Sequence, residues 1–159
     1  MTHQALSAEE LTGLLAPLAE DPALWKLLAH FGDDGRWWRR LHASEQVDIW
    51  LITWLRGHHT ELHDHGGSSG AFAVVQGSLT EVRVTTDRTS TLHRTVGESQ
   101  SVAITPTTVH DVFNPVDTPA ISLHAYSPPL SSMNYYELGG RGLQLQRTTA
   151  EHELSEQAA

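Results

Sequence analysis

Two histidines one residue apart, His63 and His65, stand in the run Leu62-His63-Asp64-His65-Gly66-Gly67-Ser68-Ser69-Gly70. On an extended strand alternate side chains share a face, so both imidazoles project together and form half of a metal site. No acidic residue occupies Gly66 to Gly70, so a third ligand must come from elsewhere. His110, within Pro106-x3-His110-x3-Asn114, is the best candidate. Imidazole suits zinc, copper, iron and nickel alike. Three neutral ligands leave the charge of a divalent ion uncompensated, which favours an anionic soft donor such as a substrate thiolate. On an octahedral ion three further positions stay open, enough for a bidentate thiol-amine and dioxygen.

A second cluster is Ser122-Leu123-His124-Ala125-Tyr126. Spacing of two puts Ser122, His124 and Tyr126 on one strand face. The alternate residues Ile121, Leu123 and Ala125 are apolar, so both faces should be buried, and buried polar groups need partners. The three can form a chain in which serine fixes the imidazole and the imidazole orients the phenol. As a hydrolase triad the set is poor, since no nucleophile elbow accompanies it. As a relay ending in a phenol beside a metal it makes chemical sense, because the hydroxyl can donate to oxygen or to a carboxylate.

The elements that must position these clusters read as a mainly β fold with two short N-terminal helices. Ser7-Ala8-Glu9-Glu10 is a capping box with Leu6 and Leu11 as a hydrophobic staple, and Leu11, Leu14, Leu15 and Leu18 follow helical spacing. Asp21-Pro22 restarts a helix expected to run through Phe31 and stop at Gly32. Strands are expected over 47–54, 71–76, 78–84, 90–96, 101–105, 109–113 and 120–125, with Gly77 as a hairpin glycine. Short strands at that spacing imply a sandwich or barrel. Ser127-Pro128-Pro129 ends the last strand, residues 1–159 form a single domain, and 145–159 reads as a flexible tail. Within that domain 1–35 holds the helices and 36–138 the barrel.

The 159 residues are 39% apolar and 18% charged, ordinary for a soluble globule. A formal net charge of -9 argues against general nucleic-acid or anionic-membrane binding, since either requires a basic patch. No apolar run is long enough to span a bilayer and no leader pattern opens the chain, so a cytoplasmic monomer is expected. There are no cysteines, which removes disulfides, thiolate ligands and cysteine nucleophiles. Eleven histidines turn attention to imidazole chemistry. Of these, His58 and His59 read as rim residues or as supports just behind the site, and His30, His42, His93 and His152 as surface ones.

The two-part arrangement of Gly57-x5-His63-x-His65 with Gly77, then Pro106-x3-His110-x3-Asn114, resembles the cupin superfamily, a double-stranded β-helix jelly roll with a metal inside its barrel. It departs from the usual cupin in lacking a glutamate shortly after the second histidine. The fuller combination His63-Asp64-His65-x4-Gly70-x-Phe72, His110-x3-Asn114 and Ser122-Leu123-His124-x-Tyr126-Ser127-Pro128-Pro129 resembles the cysteine dioxygenase family. That resemblance implies an Fe(II) enzyme adding both atoms of dioxygen to the sulfur of L-cysteine to give cysteine sulfinate. It implies His63, His65 and His110 as iron ligands and Ser122, His124 and Tyr126 as the relay. It also implies Arg39 as the partner of the substrate carboxylate, with Trp37 where the family has a tyrosine; Arg40 is the alternative to Arg39. Animal members cross-link a cysteine to the tyrosine. Gly70 stands at that position, so Tyr126 is expected to be unmodified. A related branch prefers 3-mercaptopropionate, and a non-catalytic or zinc-bound cupin is the reading from a different class.

Overall fold

In the computed structural model, which describes residues 3–32 and 34–150, two short helices lie outside a two-sheet β structure. Helix α1 spans Ala8–Ala19, and its capping box forms: the Ser7 N–H donates to Glu10 Oε2 at 2.7 Å and the Glu10 N–H to Ser7 Oγ at 3.2 Å. Helix α2 covers only Pro22–Lys26. It stops well short of the expected Phe31: Leu27 is left 87% exposed, while Leu28, Ala29 and Phe31 pack against the core from beyond the helix end. Among the described residues no helix is long and apolar enough to cross a membrane.

Five antiparallel strands make the larger sheet. In spatial order they are β1 (Trp37–Ala43), β2 (Asp48–Trp54), β8 (Ala120–Ser127), β3 (Ser69–Gln76) and β6 (Ser101–Ile104). The facing sheet is β5 (Thr91–Gly97), β4 (Ser78–Val84) and β7 (His110–Phe113). Strand alternation then sorts the core into two clusters. Trp50, Ile52 and Trp54 on β2 point between the sheets with Phe72, Val74, Leu79 and Val112. Ile49 and Leu51 point the other way, against Leu11 and Leu15 of α1, joined by Ala71, Ala73, Ile121, Leu123 and Ala125. Strands β2 and β8 are therefore buried on both faces along their full length, as the apolar alternates of β8 require.

Gly77 is a corner and not a hairpin turn. Strand β3 ends in the large sheet and β4 begins in the small one. At φ +72° a Cβ there would lie 2.6 Å from the Pro119 carbonyl oxygen, so only glycine lets the chain change sheets against this neighbour. The polar stretch after Arg141, expected as a tail from residue 145, is instead strand β10 (Gly142–Ala150), paired with β9 (Ser132–Gly139) as a separate hairpin. Its alternation is masked in the sequence because its partner strand covers little of it. Residues 151–159 lie outside the described residues. The Ser127-Pro128 bond, which the sequence leaves open, is cis.

Candidate metal centre

His63 does not sit in a ladder strand as expected. It is bridged singly to His110 on one side and Tyr135 on the other, exchanging two backbone hydrogen bonds of 3.0 Å with His110. The next residue, Asp64, points the opposite way and accepts from the Gly66 N–H at 2.9 Å, Asn134 Nδ2 at 3.0 Å and the Tyr136 hydroxyl at 2.7 Å. That clamp ties the loop to β9 and turns His63 and His65 inward together, so the period-two expectation holds without a regular strand. Asn114, at the end of the second motif, is fully buried and donates to the Trp54 and Thr118 carbonyls. Its role is to pin the turn after β7.

One ligand nitrogen from each of His63, His65 and His110 lies within 4.8 Å of the others, and all three residues are buried. His63 Nδ1 is 2.8 Å from the Glu61 carbonyl, which only accepts, so Nδ1 carries the proton and Nε2 presents a lone pair. His110 Nδ1 is 2.7 Å from the Glu81 carboxylate, which orients its Nε2 inward in the same way. The Nε2 atoms of His63 and His65 converge to 3.1 Å, and His65 Nδ1 has no partner. Burial, and then the charge of neighbouring imidazoles, holds the pKa values of His63 and His65 well below the usual histidine range. Three imidazole nitrogens converging on one buried point fit a divalent cation with nitrogen affinity better than they fit one another, since the 3.1 Å approach of His63 and His65 can share at most one proton.

The pocket opens over this centre. His63, His110, His124 and Tyr126 line its polar side, and Trp38, Trp50, Ile52, Val112, Leu130 and Met133 its apolar side. Thr60 and Arg36 complete the lining. The Arg36 guanidinium rests 5.0 Å over the Trp38 ring and 5.1 Å over Trp54, with no carboxylate partner among the described residues. Burial lowers its pKa, which marks a cation held partly out of water.

Arg39 and Trp37 are not brought to this pocket. In the β1–β2 register Trp38 faces Ile52 and Arg40 faces Trp50, so Arg36, Trp38 and Arg40 share the inward side. Trp37 packs with the N-terminal helices, with its ring 6.0 Å from His30, and Arg39 is exposed. Arg40 stays at the rim, exposed, 5.3 Å over Trp50. The adjacent arginines look equivalent in sequence; strand parity separates them. His58 accepts the Leu55 N–H at 3.0 Å, and the exposed His59 stands 3.8 Å from Asp111, so neither reaches the pocket.

The relay does assemble. The Trp54 indole donates to Ser122 Oγ at 2.8 Å, Ser122 Oγ lies 2.7 Å from His124 Nε2, and the Tyr126 hydroxyl 3.4 Å from His124 Nδ1. Indole nitrogen is a donor only, so Ser122 Oγ accepts from Trp54 and keeps its own proton and a second lone pair for His124 Nε2. Of the two His124 tautomers, the one protonated on Nδ1 directs that proton at the phenol oxygen and leaves the Tyr126 proton free to point into the pocket. Burial, then the nearby Asp48 charge, pushes the Tyr126 hydroxyl above the ordinary phenol range, so it remains a donor. Its ring is stacked 5.0 Å from His65. A Cβ at Gly70 would sit 3.0 Å from Tyr126 Cδ1, so position 70 abuts the phenol ring as the resemblance implies.

Two participants escaped the sequence reading. Trp54 shows no mark there beyond its parity with Trp50 and Ile52. Glu81 does leave a trace: it shares the inward side of β4 with buried Leu79, and an acid on a strand's buried face signals a partner. Burial alone would raise its pKa, but the His110 hydrogen bond and the Arg83 guanidinium outweigh that and hold it at about 2.

The family model of cysteine dioxygenase type I matches residues 1–138. The chain belongs to the cysteine dioxygenase type I family. Within that family, cysteine dioxygenase type 1 of Rattus norvegicus is 30% identical over 142 residues, covering 83% of this chain and 70% of the rat protein. The Homo sapiens protein is 28% identical over the same shares. Among solved structures, TT1209 from Thermus thermophilus superposes with a TM-score of 0.58 at 19% identity, over 65% of this chain and 93% of that one. Oxalate oxidase in complex with the substrate analogue glycolate gives 0.56 at 17% identity, over 64% and 55%. These likenesses establish the cupin double-stranded β-helix. Membership in the cysteine dioxygenase type I family makes the chain an oxidoreductase of the dioxygenase type.

The buried imidazoles also set how the metal-free protein responds to acid. His124 is held at about 3, by burial first and then by the neighbouring His110 ring and Arg36 guanidinium, against an ordinary value of 6.5. Between those values the unfolded chain binds the proton and the folded chain does not. Stability is thus fully present above pH 6.5 and falls, by about 1.4 kcal/mol per pH unit for such a group, until pH reaches about 3. His63 and His65 act in the same direction. Urea midpoints of metal-free protein should therefore drop steeply from pH 7 to pH 5, and less steeply in His124→Gln. A flat profile across that interval, or an identical slope in the variant, would contradict this account of the interior.

Proposed function

We propose that this chain is an Fe(II)-dependent thiol dioxygenase that adds both atoms of dioxygen to the sulfur of L-cysteine, giving cysteine sulfinate. The observation that carries the reading is Arg36: a guanidinium lining the pocket of the three-histidine centre, with no carboxylate in ion-pair contact with it among the described residues. Such a group suits a bidentate grip on a substrate carboxylate in a partly dry site. Iron held by His63, His65 and His110 would supply the redox chemistry that joins thiol and dioxygen.

The chain's own residues then have separable tasks. Arg36 holds the carboxylate end of the substrate. The Tyr126 hydroxyl, kept protonated and aimed by the Trp54–Ser122–His124 chain, donates a hydrogen bond to substrate or oxygen. Trp38, Ile52, Val112, Leu130 and Met133 keep bulk water from the reacting sulfur. With Gly70 at the cross-link position and no cysteine in the chain, the phenol acts unmodified.

Oxygen consumption by iron-loaded protein tests the proposal. Uptake of one dioxygen per cysteine with matching formation of sulfinate is expected; no uptake with cysteine or any small thiol rejects it. One observation favours 3-mercaptopropionate as a second reading. No aspartate or glutamate among the described residues lines the pocket, so a substrate ammonium would find no anionic partner there. Comparing kcat/KM for the two thiols decides between them, and a preference for the thiol lacking an amine overturns the choice of cysteine.

A further inference from the structure

The three histidines are not equivalent behind their rings. His65 Nδ1 has no partner, His63 Nδ1 faces a neutral carbonyl at 2.8 Å, and His110 Nδ1 faces a buried carboxylate at 2.7 Å. We propose that Glu81, acting through His110, is the positioning residue of the metal centre: it fixes the tautomer of His110 and makes its inward nitrogen the strongest donor of the three. This rests on reading His63, His65 and His110 as metal ligands.

The geometry is built from three strands. Glu81 lies opposite Arg94 on β5 and next to β7, where Arg83 is the register partner of His110. One carboxylate oxygen takes His110 Nδ1 and Arg83 Nη2, at 2.7 and 3.0 Å; the other takes Arg94 Nε at 2.8 Å. Glu81 is only 1% exposed, so its charge would be costly without these partners. A carboxylate accepts and cannot donate, so the proton must stay on His110 Nδ1 and the lone pair of Nε2 must face His63 and His65. A charged acceptor polarises the ring more than a carbonyl does and raises its basicity as a ligand. The two arginines act in the opposite sense. By drawing on the carboxylate they limit its pull on the His110 Nδ1 proton. The negative charge missing after His65 is thus supplied one imidazole away, from the small sheet.

Glu81→Gln separates charge from shape, since its amide oxygen can still accept from Nδ1. Zinc is the probe, because it reports ligand strength with no redox step, and competition with a chromophoric chelator gives its Kd. The Kd in E81Q should rise by about ten- to a hundredfold over the unaltered chain. Arg94 is half exposed, and R94Q should fold; releasing the carboxylate there strengthens donation, so the Fe(III)/Fe(II) potential should fall. Equal zinc affinity in E81Q, or an R94Q potential that stays or rises, overturns the proposal. If E81Q fails to fold, R94Q decides it. An unaltered chain that binds no divalent ion defeats the metal reading and this inference together. A chain that binds zinc as described but oxidises no thiol defeats only the dioxygenase reading.

Discussion

Arg36→Ala lowers kcat/KM for cysteine by roughly 10²–10³, chiefly through KM, while Arg39→Ala leaves it within about twofold. Truncating one partner of a desolvated, hydrogen-bonded charge pair costs about 2–5 kcal/mol, and Arg36 is the guanidinium that lines the pocket. Arg39 is exposed on the outward side of β1 and can offer a substrate only long-range attraction, which salt screens. Arg36→Lys should fall between the two, because an ammonium keeps the charge but loses the planar fork. Steady-state kinetics at two ionic strengths separates the cases. Stability is an independent control. Arg36 has no ion pair among the described residues but rests on the Trp38 and Trp54 rings, so its loss should lower the melting temperature by only a few degrees. A strong effect of Arg39→Ala with none from Arg36→Ala would mean that β1 pairs in another register when substrate binds.

His65→Ala is expected to abolish stoichiometric metal binding and to reduce thiol oxidation at least about a thousandfold, while the metal-free protein stays folded. Loss of one of three protein ligands removes a direct bond to the ion, a larger perturbation than the tenfold to hundredfold typical of outer partners. The fold should tolerate the change for a reason peculiar to this site. His65 is buried with its Nδ1 unpartnered and its Nε2 crowded against another imidazole nitrogen. Without metal that arrangement is unfavourable, and an alanine relieves it at the cost of a cavity and of the stacking on Tyr126. Metal analysis and a thermal melt of the same preparation check both halves. A variant that holds one metal per chain, or that does not fold without it, contradicts the site as described.

Much of this centre was legible because its parts repeat at the period of a strand. Ser122, His124 and Tyr126 could be aligned from spacing alone, and the apolar alternates of β8 announced burial on both sides. The capping box at Ser7 and the strand run from Asp48 to Val84 were equally local, and they formed. Helix α2 was overextended since periodicity records only what a helix could bury; whether a surface exists to receive Leu27 is a tertiary matter. The terminal hairpin was missed for the converse reason: β9 and β10 pair mostly with each other and need no alternating apolar face.

The sequence by itself determined the chemistry on offer: His63, His65 and His110 as nitrogen donors with no acid in the Gly66 to Gly70 stretch, no thiol anywhere, a glycine at position 70, and a Ser–His–Tyr strand. Residue type and spacing of two suffice for that, since a strand imposes them locally. Only the tertiary structure decided which cation lines the pocket, which acid stands behind His110, and that Trp54 anchors the serine of the relay. Those depend on strand register, where a shift of one residue exchanges inside for outside. Trp37-Trp38-Arg39-Arg40 contains no mark of its own parity; the pairing of Trp38 with Ile52 supplies it, and so makes Arg36 the inward arginine.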